Sequence, residues 1–359
     1  MTFDVAIVGA GIAGASLAAE IAPHARVLIL EGESAPGYHA TGRSAAFWSE
    51  TYGGPGVQPL TTASGPALAP YLHPLGSLHI GRAEDAAAME SFIADFGGGA
   101  VPLEPVDPAG LIPGLRPDWT LGVLEPTCAY IDVAALHAAS LATAGRHGAR
   151  LVTGAQLQEA ERRDGRWRLE TGAGAFDAAV LVDAAGAWAD TVARLAGAVP
   201  LGIQAYRRTI VQLRTDPVPP DGMPHIADIA GRFYFKPEAG DRLWLSPHDE
   251  TPVDPHDVAP EEIDVAIAID RLEQVVDWQI VAVERRWAGL RSFAPDRLPV
   301  YGFDTGTPGF FWCAGQGGFG IQTAPAAAKL AAAMLLGRAP EGSMSAIDPA
   351  VYAADRFSR

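Results

Sequence analysis

The start of the chain sets the fold. Residues 3–9 read FDVAIVG and residues 9–14 read GAGIAG. Ser16 to Ile21 then continue as a small-residue helix, and residues 26–31 read RVLILE. Strand, glycine turn, helix, strand and acid is the order of a dinucleotide-binding βαβ unit. Gly9 permits the tight turn off the strand. Gly11, lacking a Cβ, lets a pyrophosphate approach the backbone, and Gly14 lets the helix lie close on the sheet. The helix N-terminus adds free N–H groups and a partial positive charge, with Ala10 and Ile12 beside the glycines. Glu31, seventeen positions after Gly14, offers a carboxylate to ribose hydroxyls and would repel a 2′-phosphate, which disfavours NADP. Taken alone, the turn also suits some other glycine-rich α/β protein, and this stretch does not separate FAD from NAD.

The chain has 359 residues, 48% of them hydrophobic. That is enough for a large core and predicts two closely packed domains. A formal net charge of −16 opposes nucleic-acid and anionic-membrane partners, which need a basic surface. Cys128 and Cys313 are the two cysteines. They match no metal spacing and no redox pair, so no metal is expected. The N-terminus enters the first strand with no room for a signal peptide. The Ala-rich stretch 326–336 is too short for a membrane span and carries Lys329. A cytoplasmic protein is the expectation.

After Glu31 the chain runs through PGYHATGRSAA (36–46). These small residues suit backbone passing close to a flat ligand, or an ordinary surface loop. Helices are expected at 60–70, 84–96, 129–144 (with Asp132 as N-cap), 188–196, 260–276 and 321–336. Strands are expected at 75–81, 149–153, 155–161, 165–171, 176–186, 203–215, 231–238, 241–247, 280–293 and 310–315. The passage 97–118 reads as irregular surface. The strand at 176–186 ends in Ala-Ala-Gly and belongs with the opening unit. The expected fold is α/β: a Rossmann-like nucleotide domain (1–74, 130–198 and 299–359) interleaved with a mixed or antiparallel-sheet α+β substrate domain (75–129 and 199–298).

Residues 315–323, GQGGFGIQT, repeat the strand–glycine–helix logic at the far end of the chain. One dinucleotide is long enough to reach both turns. A helix N-terminus at 317–322 would favour negative charge on a redox ring. A reduced flavin carries such charge and a reduced nicotinamide does not, which points to FAD.

With these motifs in place the chain resembles FAD-dependent amino-acid oxidases and dehydrogenases of the D-amino-acid oxidase superfamily. It is most similar to bacterial D-arginine/D-amino-acid dehydrogenases. The carrying motifs are GAGIAGAS (9–16), PGYHATGRSAA (36–46), AAGAWAD (184–190), WAGLRSF (287–293) and FFWCAGQGGFGIQT (310–323), spread over nearly the whole chain. The resemblance implies that Gly9, Ala10, Gly11, Ile12, Gly14 and Glu31 hold the ADP half. It puts His39, Thr41, Arg43, Ser44, Ala45 and Ala46 along the pyrophosphate and flavin. Ala185, Gly186 and Trp188 would lie by the adenosine. Gly317, Gly318, Gly320, Ile321, Gln322 and Thr323 would hold the pyrimidine end of the ring. No cysteine occurs at 292–300, where related sarcosine oxidases have one that links to flavin, so non-covalent FAD is expected.

An α-amino acid presents its carboxylate, and a guanidinium binds a carboxylate through two parallel hydrogen bonds. Arg291 and Arg207 match the family's carboxylate clamp, with Arg208 on the other face of its strand. Surface ion pairing is the plainer reading of either arginine. Tyr234 matches an assisting tyrosine and Tyr52 a pocket-lining one. Arg207, Arg291, Tyr234, Tyr52 and Gln322 form the expected catalytic set. The resemblance implies oxidation of a D-amino acid by hydride transfer from Cα to flavin, giving an imino acid that hydrolyses to a 2-oxo acid and ammonia. Hydride transfer needs orientation more than a strong base, and Phe47 replaces a family histidine. Phe47, Trp48, Ser77, His225, Ala227 and Gly289 would line the side-chain pocket, with Trp244 adding surface. Ser77 stands where arginine-preferring relatives have a carboxylate, so neutral or apolar side chains are expected. Alternatives are a glycine/sarcosine-type amine oxidase, a 2-hydroxy-acid dehydrogenase, or a non-catalytic dinucleotide-binding module. The electron acceptor (quinone, carrier or oxygen) stays open.

Overall fold

The computed structural model describes residues 2–96, 98 and 101–357. Of the irregular passage expected at 97–118, positions 97, 99 and 100 lie outside the described residues. The opening unit forms as its pattern requires. Strand Thr2–Val8, helix Ile12–Ile21 and strand Val27–Leu30 follow one another. The two strands pair in parallel, Val8 opposite Leu30. All four residues of Val27–Leu30 are buried, the continuous apolar run of a parallel strand covered on both faces.

Thr2–Val8 lies between Val27–Leu30 and strand Gly174–Asp183 in an eight-stranded sheet. Strand Phe310–Ala314 joins in parallel beside the end of Gly174–Asp183, and Val300–Phe303 pairs antiparallel with it. Helices Val133–Arg146 and Gly320–Leu335 pack beside Ile12–Ile21. Parallel strands present their C-terminal ends together, so the turns leaving Val8, Asp183 and Ala314 gather at one edge, where ligands bind open α/β sheets.

A second, ten-stranded sheet carries Gln204–Asp216 between Gln279–Phe293 and Arg242–Ser246. It is antiparallel except where His225–Asp228 pairs in parallel with Ser77–Arg82. One face packs against helix Glu262–Glu273, where Val265, Ala268 and Leu272 join Val211, Phe235 and Leu245 in an apolar cluster. The other face looks toward the glycine turns.

Several strands fall outside the sequence expectation, among them Trp119–Glu125, His225–Asp228 and Val300–Phe303. Ser77–Arg82, distant in sequence, holds Trp119–Glu125 and His225–Asp228, and Phe310–Ala314 holds Val300–Phe303. Ala129–Ile131 is a strand, not the first turn of a helix. The helix starts at Val133, with the Asp132 carboxylate accepting from Ala135 N–H at 2.9 Å. Gly231 and Phe233 belong to a tight turn, with Gly231 N–H donating to the Asp228 carbonyl, so the strand there begins at Tyr234.

Candidate functional site

A single cavity of about 630 Å³ runs from Glu31 and Trp188 at one end to Ser77 and Phe92 at the other, passing both glycine turns. At the first end the walls are largely backbone. Gly9 has φ +102°, and a Cβ there would overlap the Ala184 carbonyl. A Cβ on Gly14 would overlap the Gly9 carbonyl, so Gly14 sets the helix against the sheet without lining the cavity. Gly11 caps helix Ile12–Ile21, and the Thr41 hydroxyl accepts from Ile12 N–H at 2.9 Å. Both Glu31 oxygens accept backbone N–H groups, from Ala10 at 2.9 Å and Glu33 at 3.0 Å. The acid is thereby fixed in orientation at the strand end. His39 bonds Glu33 at 2.9 Å and its ring lies 4.6 Å from Trp188.

At the second turn a Cβ on Gly318 would overlap both Arg291 and the Tyr52 hydroxyl. The bare backbone is what admits those side chains. Gly317, Gly318, Gly320 and Ile321 line the cavity here. Arg43, Ser44 and Ala45 line the stretch between the turns. Arg43 spans to the second sheet, donating to the carbonyls of Val258 at 3.1 Å and Ala288 at 3.2 Å.

Beyond the second turn the walls are side chains. Gln204–Asp216 presents Arg208 and Ile210 to the cavity, while Thr209 and Val211 belong to the opposite side of the strand. Arg208 faces Gly289 across the ladder, and Arg291 lies two pairs on, opposite Tyr206. Arg291 donates to the Tyr52 hydroxyl and, at 3.1 Å, to Glu250. Arg208 donates through Nε to the Asp249 carbonyl at 2.9 Å and reaches Glu250 at 3.5 Å. Arg297 also holds Glu250, at 2.8 Å. Buried Arg208 and half-buried Arg291 thus share one carboxylate with a third arginine. Burial first, and then the neighbouring Arg291 charge, pull Arg208 below the ordinary guanidinium range. Burial also pushes the Tyr234 phenol up. His248, on the same wall, is pushed down to about 3 by burial and then by the Arg208 and Arg291 charges, so it is neutral near pH 7. At the far end the Ser77 hydroxyl and His225 Nδ1 are 2.9 Å apart. The His225 ring lies 4.2 Å from Phe47, and burial drives its pKa well down.

Several expected residues sit elsewhere. Arg207 does not line the cavity. It points to the helix-covered face, donating to Asp264 at 2.8 Å and to Glu261, and Arg208 takes the cavity face. The two alternate along one strand as expected, with the faces exchanged. Trp48 turns away from the cavity opposite Phe47, and its indole N–H donates to the Thr61 carbonyl at 3.0 Å. Trp244 packs edge-on against Trp287, 5.0 Å between ring centres, outside the cavity. Ala46 lies in the apolar cluster with Ile12 and Ile131. Ala10 acts through its N–H to Glu31. Gln322 and Thr323 are buried behind the second turn, and Gln322 Nε2 donates to the Tyr52 carbonyl at 2.9 Å. Tyr52, Tyr234, Phe47, Ser77, His225, Ala227, Gly289 and Arg291 all line the cavity, as do Ala185, Gly186 and Trp188.

His79 and His248 line the cavity too. Ser77 and His79 are two apart on one strand, so the strand period already put them on one face. His248 has φ +55° in a loop with no periodic signal.

The profile of the family described as FAD dependent oxidoreductase matches residues 4–334. A glycine oxidase of Pseudomonas aeruginosa is 31% identical over 176 residues, 47% of this chain and 44% of that protein. The mitochondrial dimethylglycine dehydrogenase of Mus musculus is 27% identical over 257 residues, 64% of this chain and 29% of that protein. The matches therefore span less than half the length of these curated relatives. The crystal structure of glycine oxidase from Geobacillus kaustophilus superposes with a TM-score of 0.83 at 25% identity, covering 98% of each chain. The family match over nearly the whole chain, on a fold whose glycine turns open into one cavity, makes this protein a member of the FAD-dependent oxidoreductase (DAO) family.

Proposed function

We propose that this protein oxidises an α-amino acid, holding the substrate carboxylate between Arg208 and Arg291 with the Tyr52 and Tyr234 hydroxyls beside it. The observation that carries this reading is the shared Glu250. Arg207 has Asp264 and Glu261 to itself, whereas Arg208, Arg291 and Arg297 divide Glu250 among them, and Asp249, whose two oxygens accept from Thr209, comes no nearer than 3.9 Å to Arg208. Buried positive charge at the cavity wall is left for an anion, and a guanidinium pair suits a carboxylate.

FAD fits the other end. Bare glycine backbone, the capped helix N-terminus at Ile12 and the oriented Glu31 carboxylate match an ADP moiety. Gly317, Gly318 and Gly320 line the same cavity beside Arg291, where a flat ring would lie. Bound FAD would supply the two-electron acceptor for the Cα–H bond. The chain's own groups orient the substrate: Arg208 and Arg291 fix the carboxylate, and Phe47, His225 and Ala227 bound the side chain. His248 carries no charge near pH 7, so it adds no repulsion to the substrate amine. The imino acid product hydrolyses to a 2-oxo acid and ammonia.

The D configuration rests on the motif resemblance. A neutral side chain is supported by Ser77 and the uncharged His225 at the far end. The glycine oxidase matches favour a second reading, a substrate of the glycine or N-methylglycine kind. Anaerobic flavin reduction by single D- and L-amino acids, glycine, sarcosine and 2-hydroxy acids tests both. D-leucine, D-methionine and D-phenylalanine should reduce the flavin fastest, well ahead of D-arginine. Fastest reduction by glycine or sarcosine would replace the first reading with the second, and reduction by 2-hydroxy acids alone would overturn both. Re-oxidation by air or by a quinone then identifies the acceptor.

A further inference from the structure

Tyr52 bonds Arg291 at the centre of the site, yet it sits on no helix or strand. It lies in a turn between strand Phe47–Trp48 and helix Gln58–Leu68. Such a turn has no ladder to fix it, so side chains from elsewhere must hold it. Glu125, at the end of strand Trp119–Glu125, is completely buried. Its carboxylate accepts from the Ser49 hydroxyl at 2.8 Å, from Glu50 N–H at 2.7 Å and from the Thr51 hydroxyl at 2.7 Å. These are the three residues immediately before Tyr52. His79 Nε2, on the neighbouring strand, stands 3.9 Å from the same carboxylate. Gln322 grips the turn from the other side, donating to the Tyr52 carbonyl at 2.9 Å and accepting from Ser49 N–H at 3.3 Å.

We infer that Glu125 is a positioning residue, whose buried carboxylate sets the 49–52 turn so that the Tyr52 hydroxyl meets Arg291 in the geometry that receives the substrate carboxylate. A buried carboxylate costs free energy unless its oxygens are satisfied. Here they are satisfied almost wholly by one short turn, so the cost is met by ordering that turn. Burial works to raise the Glu125 pKa, but the nearby His79 and the bonds from Thr51 and Ser49 outweigh it and hold the acid below its ordinary value. It therefore stays an acceptor for all three donors. Gln322 comes from the first turn of the helix that begins at Gly320, so the same grip ties Tyr52 to the helix whose N-terminus faces the second glycine turn. Glu125 touches no substrate atom and works through Tyr52.

The inference rests on the carboxylate-clamp reading, and the test separates the two. Acetate serves as the probe, its Kd read from the perturbation of the flavin spectrum in holoenzyme, alongside FAD content and the kcat and KM of the best amino acid. Glu125→Gln should retain FAD and raise both the acetate Kd and KM about tenfold, the worth of one charge-assisted hydrogen bond, with a smaller change in kcat. In the Tyr52→Phe background the same substitution should have little further effect, because coupled residues are non-additive. Additive effects, or equal losses in kcat and FAD content with KM unchanged, would overturn the positioning role. Arg291→Met is the reference. If it leaves the acetate Kd unmoved, the clamp reading itself fails. If it weakens acetate while Glu125→Gln does not, only the inference fails. Should Glu125→Gln give no folded protein, Ser49→Ala with Thr51→Val removes two donors and leaves the carboxylate in place. A raised acetate Kd there supports the inference, and an unchanged one overturns it.

Discussion

The two ends of the cavity are built from different materials. At the dinucleotide end the walls are N–H groups, carbonyls and missing Cβ atoms at Gly9 and Gly11, with Glu31 pinned by two backbone bonds. At the substrate end they are guanidiniums, phenols and imidazoles, each placed by strand parity or by a loop. A site of backbone tolerates no added atoms but is indifferent to which partner neutralises which charge. A site of side chains tolerates volume but fails when a charge changes partner. Substitutions at the two ends should therefore fail in different ways.

The largest effect belongs to the first end. Gly9→Ala places a side chain at φ +102° and into the Ala184 carbonyl, where no flexible group can move aside. The expected product carries no flavin, shown by the absence of flavin absorbance after purification and after incubation with FAD. A flavin content equal to that of the parent would break the contrast between the ends. Next comes the pair Arg207 and Arg208. Arg208→Met should keep its FAD and lose on the order of a hundredfold in kcat/KM, as expected when a buried carboxylate partner is removed. Arg207→Met should change kcat/KM little but leave Asp264 buried without its 2.8 Å partner. That lowers stability by about 1–3 kcal/mol, seen as a lower Tm. If Arg207→Met instead abolishes turnover in folded protein, the assignment of faces is reversed.

That exchange of faces shows what the sequence carries. The opening βαβ unit and the turn at 315–323 were legible because glycine spacing, strand composition and a terminal acid report backbone geometry directly. Arg291, Tyr52 and Tyr234 were reached through motif resemblance, and all three line the cavity. Arg207 and Arg208 were not separable from sequence. Both alternate with apolar residues in IQAYRRTIVQL, and what decides between them is which face helix Glu262–Glu273 covers. Its Asp264 is seen to take Arg207 only once the chain is folded. Trp48 misled for a similar reason, since a two-residue strand sends one aromatic inward and the other to Thr61. Glu125 gave no signal at all. Its donors lie about seventy-five positions away in sequence.

A smaller effect returns to the dinucleotide end. In Glu31→Gln one of the two anchoring oxygens becomes an amide N–H₂ facing an N–H donor, Ala10 or Glu33. The loss of one good hydrogen bond and of the carboxylate charge should weaken FAD by about tenfold. Titration of apoprotein with FAD measures this directly. Turnover at saturating FAD should stay close to that of the parent, because this end holds the cofactor and does not touch the substrate. A large fall in kcat at full FAD occupancy would show that the two ends are not separable.

At neutral pH the smallest effect concerns the charge reserved at the substrate end. Burial and then the Arg208 and Arg291 charges push His248 from 6.5 to about 3. The unfolded chain takes up a proton near 6.5 and the folded chain does not until about 3, so between these values the unfolded state binds more protons. Stability from this group is complete above pH 6.5 and is lost as the pH falls toward 3. His248→Asn should therefore make the acid side of the stability profile shallower by up to one proton's slope, about 1.4 kcal/mol per pH unit. Denaturant unfolding at a series of pH values from 4 to 7 measures it. Between pH 7 and 8 the same variant should leave the shape of the pH–rate profile unchanged, because the imidazole is already neutral there. A break near neutrality that disappears in His248→Asn would mean that the histidine is charged when substrate arrives. Burial and the positive field of the two arginines would then not keep it neutral, and the substrate end would owe its charge to three groups instead of two.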